Sequence, residues 1–231
     1  MSRALITGGS AGLGRAFAAG LADRGWDVIV TARHAVELAR NPDRSAGRLL
    51  PVAGDVTDAD HRAALRNAVA DGAPLDLLVN NASTLGRSPL PPVLDLTPAE
   101  LRLLWETNVV GPVTLIQALA AYLAEDAAVV NISSDAAVAH YETWGGYGAT
   151  KAALDHLTAT LAAENRAIRW YAVDPGDMRT QMHQDAFPGA DISDRPSPAS
   201  VVPAFLRLLD ARPPSGRYRS SDFAVPAEAA S

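Results

Sequence analysis

The chain has 231 residues, of which 48% are hydrophobic and 20% are charged, and it contains no cysteine. A chain of this length can bury one substantial core, while the lack of cysteine excludes disulfide frameworks and thiolate metal sites. The net charge of −6 and the absence of any Lys or Arg run argue against nucleic acid as a partner. The five histidines show no close metal-ligand spacing, so we expect no metal site.

The start of the chain passes almost directly into a short apolar run and then a glycine-rich loop. That leaves no room for the charged, apolar and cleavage regions of a secretory signal. No stretch of about 18 apolar residues is available to span a bilayer. These features predict a cytoplasmic protein with no membrane partner, folded as a single domain over residues 1–231.

Short apolar runs alternate with longer amphipathic segments along the chain. The runs are typical of strands covered on both faces, and they lie at 4–6, 28–30, 49–52, 75–79, 127–132 and 168–173. The amphipathic segments predict helices, with Thr57 and Thr97 as N-caps of the second and third, at 13–24, 58–70, 98–123 and 146–163. The alternation predicts an α/β fold, a Rossmann-like doubly wound parallel sheet in a three-layer α/β/α arrangement.

The turn between the first strand and the first helix reads Thr7-Gly8-Gly9-Ser10-Ala11-Gly12-Leu13-Gly14. Glycines permit a tight turn and let the backbone approach a pyrophosphate, and the following helix N-terminus offers free N–H groups. The spacing is Thr-Gly-x-x-x-Gly-x-Gly and not the usual Gly-x-Gly-x-x-Gly, and a plain glycine-rich connection is the alternative. We expect this turn to bind a dinucleotide through Gly8, Ser10, Gly12, Leu13 and Gly14.

The second strand leads to Arg33, and the acidic residue that would bind the adenosine ribose is absent there. An arginine can pair with the 2′-phosphate of NADP, although an exposed arginine without a ligand would look the same in sequence. The sequence therefore favours NADP(H) over NAD(H).

Two further strand ends carry polar residues. Asp55, followed by Val56, can accept a hydrogen bond from the adenine amino group or belong to the turn before Thr57. Asn81 and Ala82 follow the fourth strand, where they can brace the sheet edge and contact the cofactor. Adjacent asparagines are also common in turns without function.

Lys151 is the only lysine among twenty basic residues. It follows Tyr147 by four positions, which places both side chains on one face if a helix begins near Gly146. A nearby ammonium, like the positive ring of an oxidised nicotinamide, favours the phenolate and lowers the tyrosine pKa from about 10. An arginine cannot supply the same compact charge. Because many surface helices contain Tyr-x-x-x-Lys, the pair indicates a catalytic site only in combination with other motifs.

Together with the other motifs, the pair makes the chain resemble the short-chain dehydrogenase/reductase family from residue 3 to about 180. The shared motifs occur in the family's order and at its approximate spacings: Thr7-Gly8-x-x-x-Gly12-x-Gly14, Asn80-Asn81-Ala82, Asn131-Ile132-Ser133-Ser134, Tyr147-x-x-x-Lys151 and Pro175-Gly176. The resemblance implies an NAD(P)-dependent oxidoreductase that acts on a small carbonyl or alcohol substrate and assembles as a homodimer or homotetramer.

The resemblance also implies roles for individual residues. Tyr147 would be the general acid or base and Ser134 would hold the same substrate oxygen. Lys151 would tune Tyr147 and bind the nicotinamide ribose, so that both residues also touch the cofactor. Asn108 would anchor a water for proton relay. Thr180 would contact the carboxamide, within a cofactor-binding set that comprises Pro175, Gly176, Met178 and Thr180.

Three features depart from the family pattern or vary within it. Ser83 replaces the glycine that usually follows Asn-Asn-Ala. The segment 177–200 is rich in Pro, Gly, Asp and Ser, which predicts a mobile substrate lid. The chain ends soon after residues 216–219, so the sequence does not decide whether the family's terminal strand and its subunit contacts are present.

Three alternative functions differ in what they would require. A β-ketoacyl carrier-protein reductase would need a basic patch at the mouth, for which Arg102, Arg166 and Arg169 are available. A nucleotide-sensing protein without turnover would be expected to lose Tyr147 or Lys151, and both are present. A sugar-nucleotide epimerase would need a longer C-terminal substrate region.

Overall fold

The computed structural model describes residues 2–33 and 47–224. Their seven strands are β1 Arg3–Thr7, β2 Asp27–Ala32, β3 Arg48–Ala53, β4 Leu75–Asn80, β5 Leu123–Ile132, β6 Arg169–Asp174 and β7 Gly216–Arg219. Their α-helices are α1 Gly12–Asp23, α2 Ala59–Ala70, α3 Pro98–Trp105, α4 Gly111–Leu119, α5 Gly145–Glu164, α6 Gln181–Ala186 and α7 Pro198–Ala211.

All seven strands are parallel and form one sheet in the order β3-β2-β1-β4-β5-β6-β7. The order reverses between β1 and β4, so the connections wind in two directions from this point. The predicted doubly wound α/β sheet is therefore confirmed. In such sheets ligands bind beyond the carboxyl ends of the strands, at the point of reversal.

Both faces of the sheet are covered by helices, because alternate residues of each strand point to opposite faces. Ile6 and Val30 lie in the core cluster that also holds Phe17 of α1 and Phe205 of α7. The strand residues between these point to the other face. There Leu5, Ile29 and Val129 lie in a second core cluster with Leu65 of α2 and Leu115 of α4. Every central strand is thus buried on both sides, which explains its nearly continuous apolar sequence.

Two details of the predicted elements were wrong. Asp58, not Thr57, is the N-cap of α2, since its side chain accepts from the Asp60 N–H, while Thr57 donates to Asp55 instead. The predicted helix 98–123 is interrupted by a π-helical turn at Glu106–Val110 and gives way to β5 at Leu123. The capping box of Thr97 and Glu100 is confirmed.

The C-terminal part of the described chain completes the sheet. β7 pairs with β6 in parallel, so the short chain still contains a terminal strand. Within residues 2–33 and 47–224, no helix has the length and apolarity that crossing a membrane would require.

Candidate active site

A cleft of about 660 Å³ opens beyond the carboxyl ends of the strands, on both sides of the β1–β4 reversal. Its walls come from the loops that follow β1, β2, β3, β4, β5 and β6. Most of the residues predicted to bind the cofactor line this cleft: Gly8, Ser10, Gly12, Leu13, Arg33, Asp55, Val56, Asn81, Ala82, Tyr147, Pro175, Gly176, Met178 and Thr180. Gly14, Asn108 and Lys151 are buried behind its surface.

The glycine-rich loop is shaped by close backbone contacts. Gly8 has a φ of +67°, and a Cβ there would lie 2.7 Å from Asn81 Nδ2. A Cβ on Gly14 would lie 2.4 Å from the carbonyl oxygen of Gly8. The helix α1 that follows has no side-chain cap at Ala11, so its N-terminal end is left open where it meets the cleft. Backbone without side chains at a helix N-terminus fits the pyrophosphate of a dinucleotide.

Asn81 ties the ends of β1 and β4 together. Its side-chain Nδ2 donates to the carbonyl oxygens of Thr7, at 2.9 Å, and Gly8, at 3.1 Å. In return, Thr7 Oγ1 accepts from the backbone N–H groups of Asn81 and Ala82, both at 3.0 Å. The sequence prediction that this motif braces the sheet edge is therefore matched by its hydrogen bonds, and Thr7 is a partner that sequence reasoning missed.

The far end of the cleft lies beside β2 and β3. Arg33 is exposed there and lines the cleft with Asp55. Burial raises the pKa of Asp55, but hydrogen bonds from Thr57 and the charge of Arg33 outweigh this and lower it overall. The buried His61 also went unnoticed in the sequence, although its Nε2 lies 2.7 Å from Thr31 Oγ1. A histidine on a helix face carries no local signal of such a contact.

Tyr147 lies at the other end of the cleft, at the start of α5, and is 8% exposed. Burial raises its pKa above the usual value, while hydrogen bonding with the hydroxyls of Ser83 and Ser134 acts in the opposite direction. Three hydroxyl groups therefore converge at this point. Gly148 permits the arrangement, because a Cβ there would lie 2.6 Å from the Ala136 carbonyl oxygen in the loop that carries Ser134.

Lys151 lies one turn after Tyr147 on α5 and is 2% exposed. Its Nζ donates to the Ile132 carbonyl oxygen at 2.8 Å and lies 5.5 Å from the centre of the Tyr147 ring. Burial lowers the pKa of Lys151 to about 8, although the negative charge of Asp155 raises it. The predicted juxtaposition of amine and phenol is present, but in the protein alone burial outweighs every effect that would make the phenol acidic.

Asn108 is 1% exposed and lies in the π-helical turn between α3 and α4. Its Oδ1 accepts from the Thr84 N–H and the Ser83 hydroxyl, and its Nδ2 donates to the Thr84 carbonyl and the Thr150 hydroxyl. These four bonds use both N–H groups and two lone pairs of the amide. They fix the loop that carries Ser83 against the helix that carries Tyr147.

Arg217 of β7 is a further residue that sequence reasoning missed. Its Nη2 donates to the Ser134 carbonyl oxygen at 2.9 Å, and its Nε donates to Asp155 Oδ2 at 2.9 Å. It therefore links the loop that carries Ser134 to α5 from a strand 83 residues further along the chain. No local motif marks an arginine that acts across this separation.

Comparison with known proteins assigns the family. A family model described as short chain dehydrogenase matches residues 2–191. The chain is 31% identical over 209 residues to an uncharacterized oxidoreductase of Saccharomyces cerevisiae, covering 89% of this chain and 79% of that one. It is 33% identical over 184 residues to serine 3-dehydrogenase of Agrobacterium fabrum, covering 77% and 72% of the two chains.

The chain belongs to the short-chain dehydrogenase family.

Solved structures agree with this assignment. A short chain dehydrogenase of Pseudomonas syringae has a TM-score of 0.88 at 28% identity, covering 94% of this chain and 93% of that one. A short chain dehydrogenase of Shigella flexneri, whose structure is complexed with NADP, has a TM-score of 0.83 at 26% identity, covering 95% and 97%. Short-chain dehydrogenases bind NAD(P) and act on small molecules, so this chain is an oxidoreductase of that kind.

The single lysine of this short-chain dehydrogenase makes its ionisation directly measurable. Protein labelled with ¹³C at lysine Cε will give one lysine Cε signal, and we expect that signal to titrate near pH 8 because burial disfavours the ammonium. Asp155→Asn removes the charge that favours the ammonium, so the midpoint moves to lower pH. The exposed Glu164→Gln on the same helix is the control and leaves it unchanged. A wild-type midpoint near the ordinary lysine pKa of about 10.4 would contradict the buried geometry.

Proposed function

We propose that the protein is an NADP(H)-dependent oxidoreductase that interconverts a ketone or aldehyde and an alcohol by hydride transfer. Tyr147 is the acid or base, Ser134 holds the substrate oxygen, and Lys151 supports both the tyrosine and the nicotinamide ribose. The observation that carries the proposal is the convergence of the Ser134 and Tyr147 hydroxyls in the cleft, with the Lys151 amine buried behind them.

The proton chemistry follows from the groups present. In reduction, the Tyr147 hydroxyl donates its proton to the carbonyl oxygen while the carbonyl carbon receives the hydride; in oxidation both transfers reverse. When bound, the nicotinamide cofactor supplies or accepts that hydride, and its oxidised ring adds a positive charge that favours the phenolate. The single O–H of Ser134 donates to Asp135 Oδ1 in the protein alone. On substrate binding it turns to the same carbonyl oxygen and so orients the carbonyl for both transfers.

Lys151 has unused hydrogen-bond donors with which to support Tyr147 and bind the nicotinamide ribose. An ammonium has three N–H groups, and the bond to the Ile132 carbonyl uses one. The other two are available for the ribose hydroxyls and for a proton relay. Its pKa near 8 lets the amine exchange protons around neutral pH, where a lysine of ordinary pKa would stay charged.

The relay water proposed for Asn108 would be held by the backbone and not by the amide. The amide is occupied by its four hydrogen bonds. The carbonyl of Asn108 cannot accept an α-helical hydrogen bond, because the residue four positions later is Pro112, which has no N–H. This backbone oxygen is the acceptor that would hold the relay water.

The preference for NADP(H) rests on Arg33. This exposed guanidinium lines the cleft, near the Asp55 carboxylate that would face the adenine. The carboxyl end of β2, Thr31-Ala32, and the following Arg33 provide no carboxylate that would repel a 2′-phosphate at this point. The NADP complex of the Shigella flexneri relative is compatible with the same preference.

The β-ketoacyl carrier-protein alternative loses its main support. Arg166 and Arg169 lie at the amino end of β6, which is the opposite edge of the sheet from the cleft. Arg102 is exposed on α3 and does not line the cleft. The three arginines therefore form no basic patch at its mouth. The relative named serine 3-dehydrogenase adds small hydroxy compounds to the substrates worth testing.

We propose a homodimer or homotetramer as the working assembly. Apolar side chains on α3 and just before it are exposed, among them Leu94, Leu101 and Trp105. Small residues of α5 such as Ala149 and Ala152 also face solvent. Such surface is typical of subunit contacts. Light scattering should give two or four times the 24.2 kDa mass of one chain.

The location in the cytoplasm and the lid motion of segment 177–200 stay predictions from the sequence.

Tyr147→Phe should abolish turnover but leave cofactor binding nearly intact, because the substitution removes only the proton donor. We expect kcat to fall by about a hundredfold or more, measured by absorbance at 340 nm with a panel of ketones and aldehydes. NADPH affinity, measured by calorimetry, should stay within about twofold. Parallel loss of turnover and NADPH binding would mean that the tyrosine holds the fold or the cofactor and is not the acid.

Arg33→Ala should weaken NADPH binding by about tenfold to a hundredfold, since a charged hydrogen bond to phosphate contributes roughly 1.5–3 kcal/mol. NADH affinity should change little, because NADH has no 2′-phosphate. Arg66→Ala, which removes an exposed arginine outside the cleft, is the control for net charge. Equal weakening of both cofactors would refute the assignment of Arg33.

A further inference from the structure

A carboxylate without a basic partner lies directly beside the reacting groups. Asp135 follows Ser134 in the chain and lines the cleft. Its Oδ1 accepts from the Ser134 hydroxyl at 3.0 Å, and its Oδ2 accepts from the Tyr141 hydroxyl at 2.8 Å. Within the described ranges, no ion pair joins Asp135 to an arginine, lysine or histidine. Its Oδ1 also accepts from the Ala136 N–H at 2.8 Å, so three hydrogen bonds, but no cation, hold this carboxylate.

The neighbouring carboxylates differ in this respect. Asp174 lies 3.6 Å from Arg217 Nη2. Asp177 lies 3.7 Å from Arg195 Nε and 3.8 Å from His183 Nδ1. Asp135 alone among these three acids of the cleft wall remains available to a charged ligand.

No arginine or lysine lines the substrate end of the cleft among the described residues, since Lys151 and Arg217 lie behind Tyr147 and Ser134 and interact with Asp155. Among the described residues, the one arginine or lysine that lines the cleft is Arg33, after β2. Asp135 follows β5, three strands away in the sheet, which corresponds to about 14 Å at about 4.8 Å per strand. His183 also faces the cleft, where its Nδ1 lies 3.8 Å from the Asp177 carboxylate. A ligand near Ser134 therefore meets the Asp135 carboxylate with no arginine or lysine lining the cleft beside it.

Aromatic rings complete the surroundings of this carboxylate. Trp144 lines the cleft, and its ring centre lies 6.4 Å from that of Tyr141 and 5.8 Å from that of Tyr147. Phe187 approaches Trp144 from the segment after β6, at 5.9 Å. The faces of aromatic rings attract cations, most strongly for tryptophan. A carboxylate beside clustered aromatic rings is the combination that binds an ammonium group.

We propose, on the basis of the proposed function, that the substrate carries a cationic amine close to its carbonyl or carbinol carbon. This amine binds between Asp135 and Trp144. The substrate class is an amino ketone or amino alcohol. With the oxygen held by Ser134 and Tyr147, the adjacent Asp135 reaches an ammonium one or two bonds beyond the reacting carbon. The amine takes no part in the hydride and proton transfers and leaves the site unchanged. Carboxylate or phosphate in its place is repelled.

Three ketones of similar size test the charge requirement. Phenacyltrimethylammonium carries a permanent positive charge, neopentyl phenyl ketone replaces its nitrogen by carbon, and benzoylacetate carries a negative charge. Their binding to the enzyme–NADP⁺ complex, which cannot reduce them, is measured by calorimetry at pH 8. Their reduction by NADPH is followed at 340 nm. We expect the cation to bind at least about tenfold more tightly than its neutral isostere, a difference of about 1.4 kcal/mol, and benzoylacetate to bind weakest.

Asp135→Asn keeps the size of the side chain and an acceptor for the Ser134 hydroxyl but removes the charge. We expect this variant to reduce the preference for the cation over the neutral ketone to below about threefold. Glu142→Gln is the matched control, because it removes an exposed charge from the same loop outside the cleft, and it should keep the wild-type preference.

The two readouts separate this inference from the proposed function. Equal binding of the cation and its isostere by the wild type, no binding of the cation, or an undiminished preference in Asp135→Asn overturns the inference, whatever the rates. Tight binding of the cation without reduction of any ketone supports the cationic subsite and contradicts the proposed reductase instead.

Discussion

The arrangement of this active site depends on burying one ammonium. Lys151 is 2% exposed, and its Nζ is held by the Ile132 carbonyl at 2.8 Å. Burial of a cation is costly unless other groups compensate it. Asp155 supplies part of that compensation by its charge, which opposes the fall of the lysine pKa to about 8. The chain uses arginine at its nineteen other basic positions, and the planar guanidinium is a poor substitute for a compact charge in such a space.

The cost of this burial also explains the network around it. Asp155 accepts from Ser133 and Arg217, and Arg217 in turn holds the Ser134 carbonyl. Asn108 joins the Ser83 loop to α5 through four hydrogen bonds. These groups keep Ser134 and Tyr147 in contact while the lysine stays behind them. The hydroxyls of the site are therefore ordered before any ligand binds, which lowers the entropic cost of reaching a reactive geometry.

Much of the site could be predicted from the sequence because a parallel sheet collects the carboxyl ends of its strands at one edge. The apolar runs located β1 to β6, and the residues that follow them line the cleft. Four-residue spacing similarly placed Tyr147 and Lys151 on one helix face. The resemblance to short-chain dehydrogenases assigned roles that spacing alone left open.

The remaining features depend on tertiary contacts. The π-turn at Glu106–Val110 accompanies a buried Asn108, and no periodicity reveals it. Asp58 and Thr57 are both good caps, so which of them caps α2 depends on whether Asp55 binds Thr57. Arg217 reaches Ser134 from 83 positions away. The effect of burial on the Tyr147 pKa could not be read from the neighbouring lysine, because it depends on how completely the phenol is enclosed.

The most direct test of the central role of the Lys151 ammonium is the kcat/KM of Lys151→Arg for carbonyl reduction, with circular dichroism to verify the fold. This variant keeps the positive charge but replaces the compact amine by a larger, planar group of much higher pKa. We predict a loss of about a hundredfold or more relative to the wild type. A folded variant that retains kcat/KM within about threefold of the wild type would contradict the account.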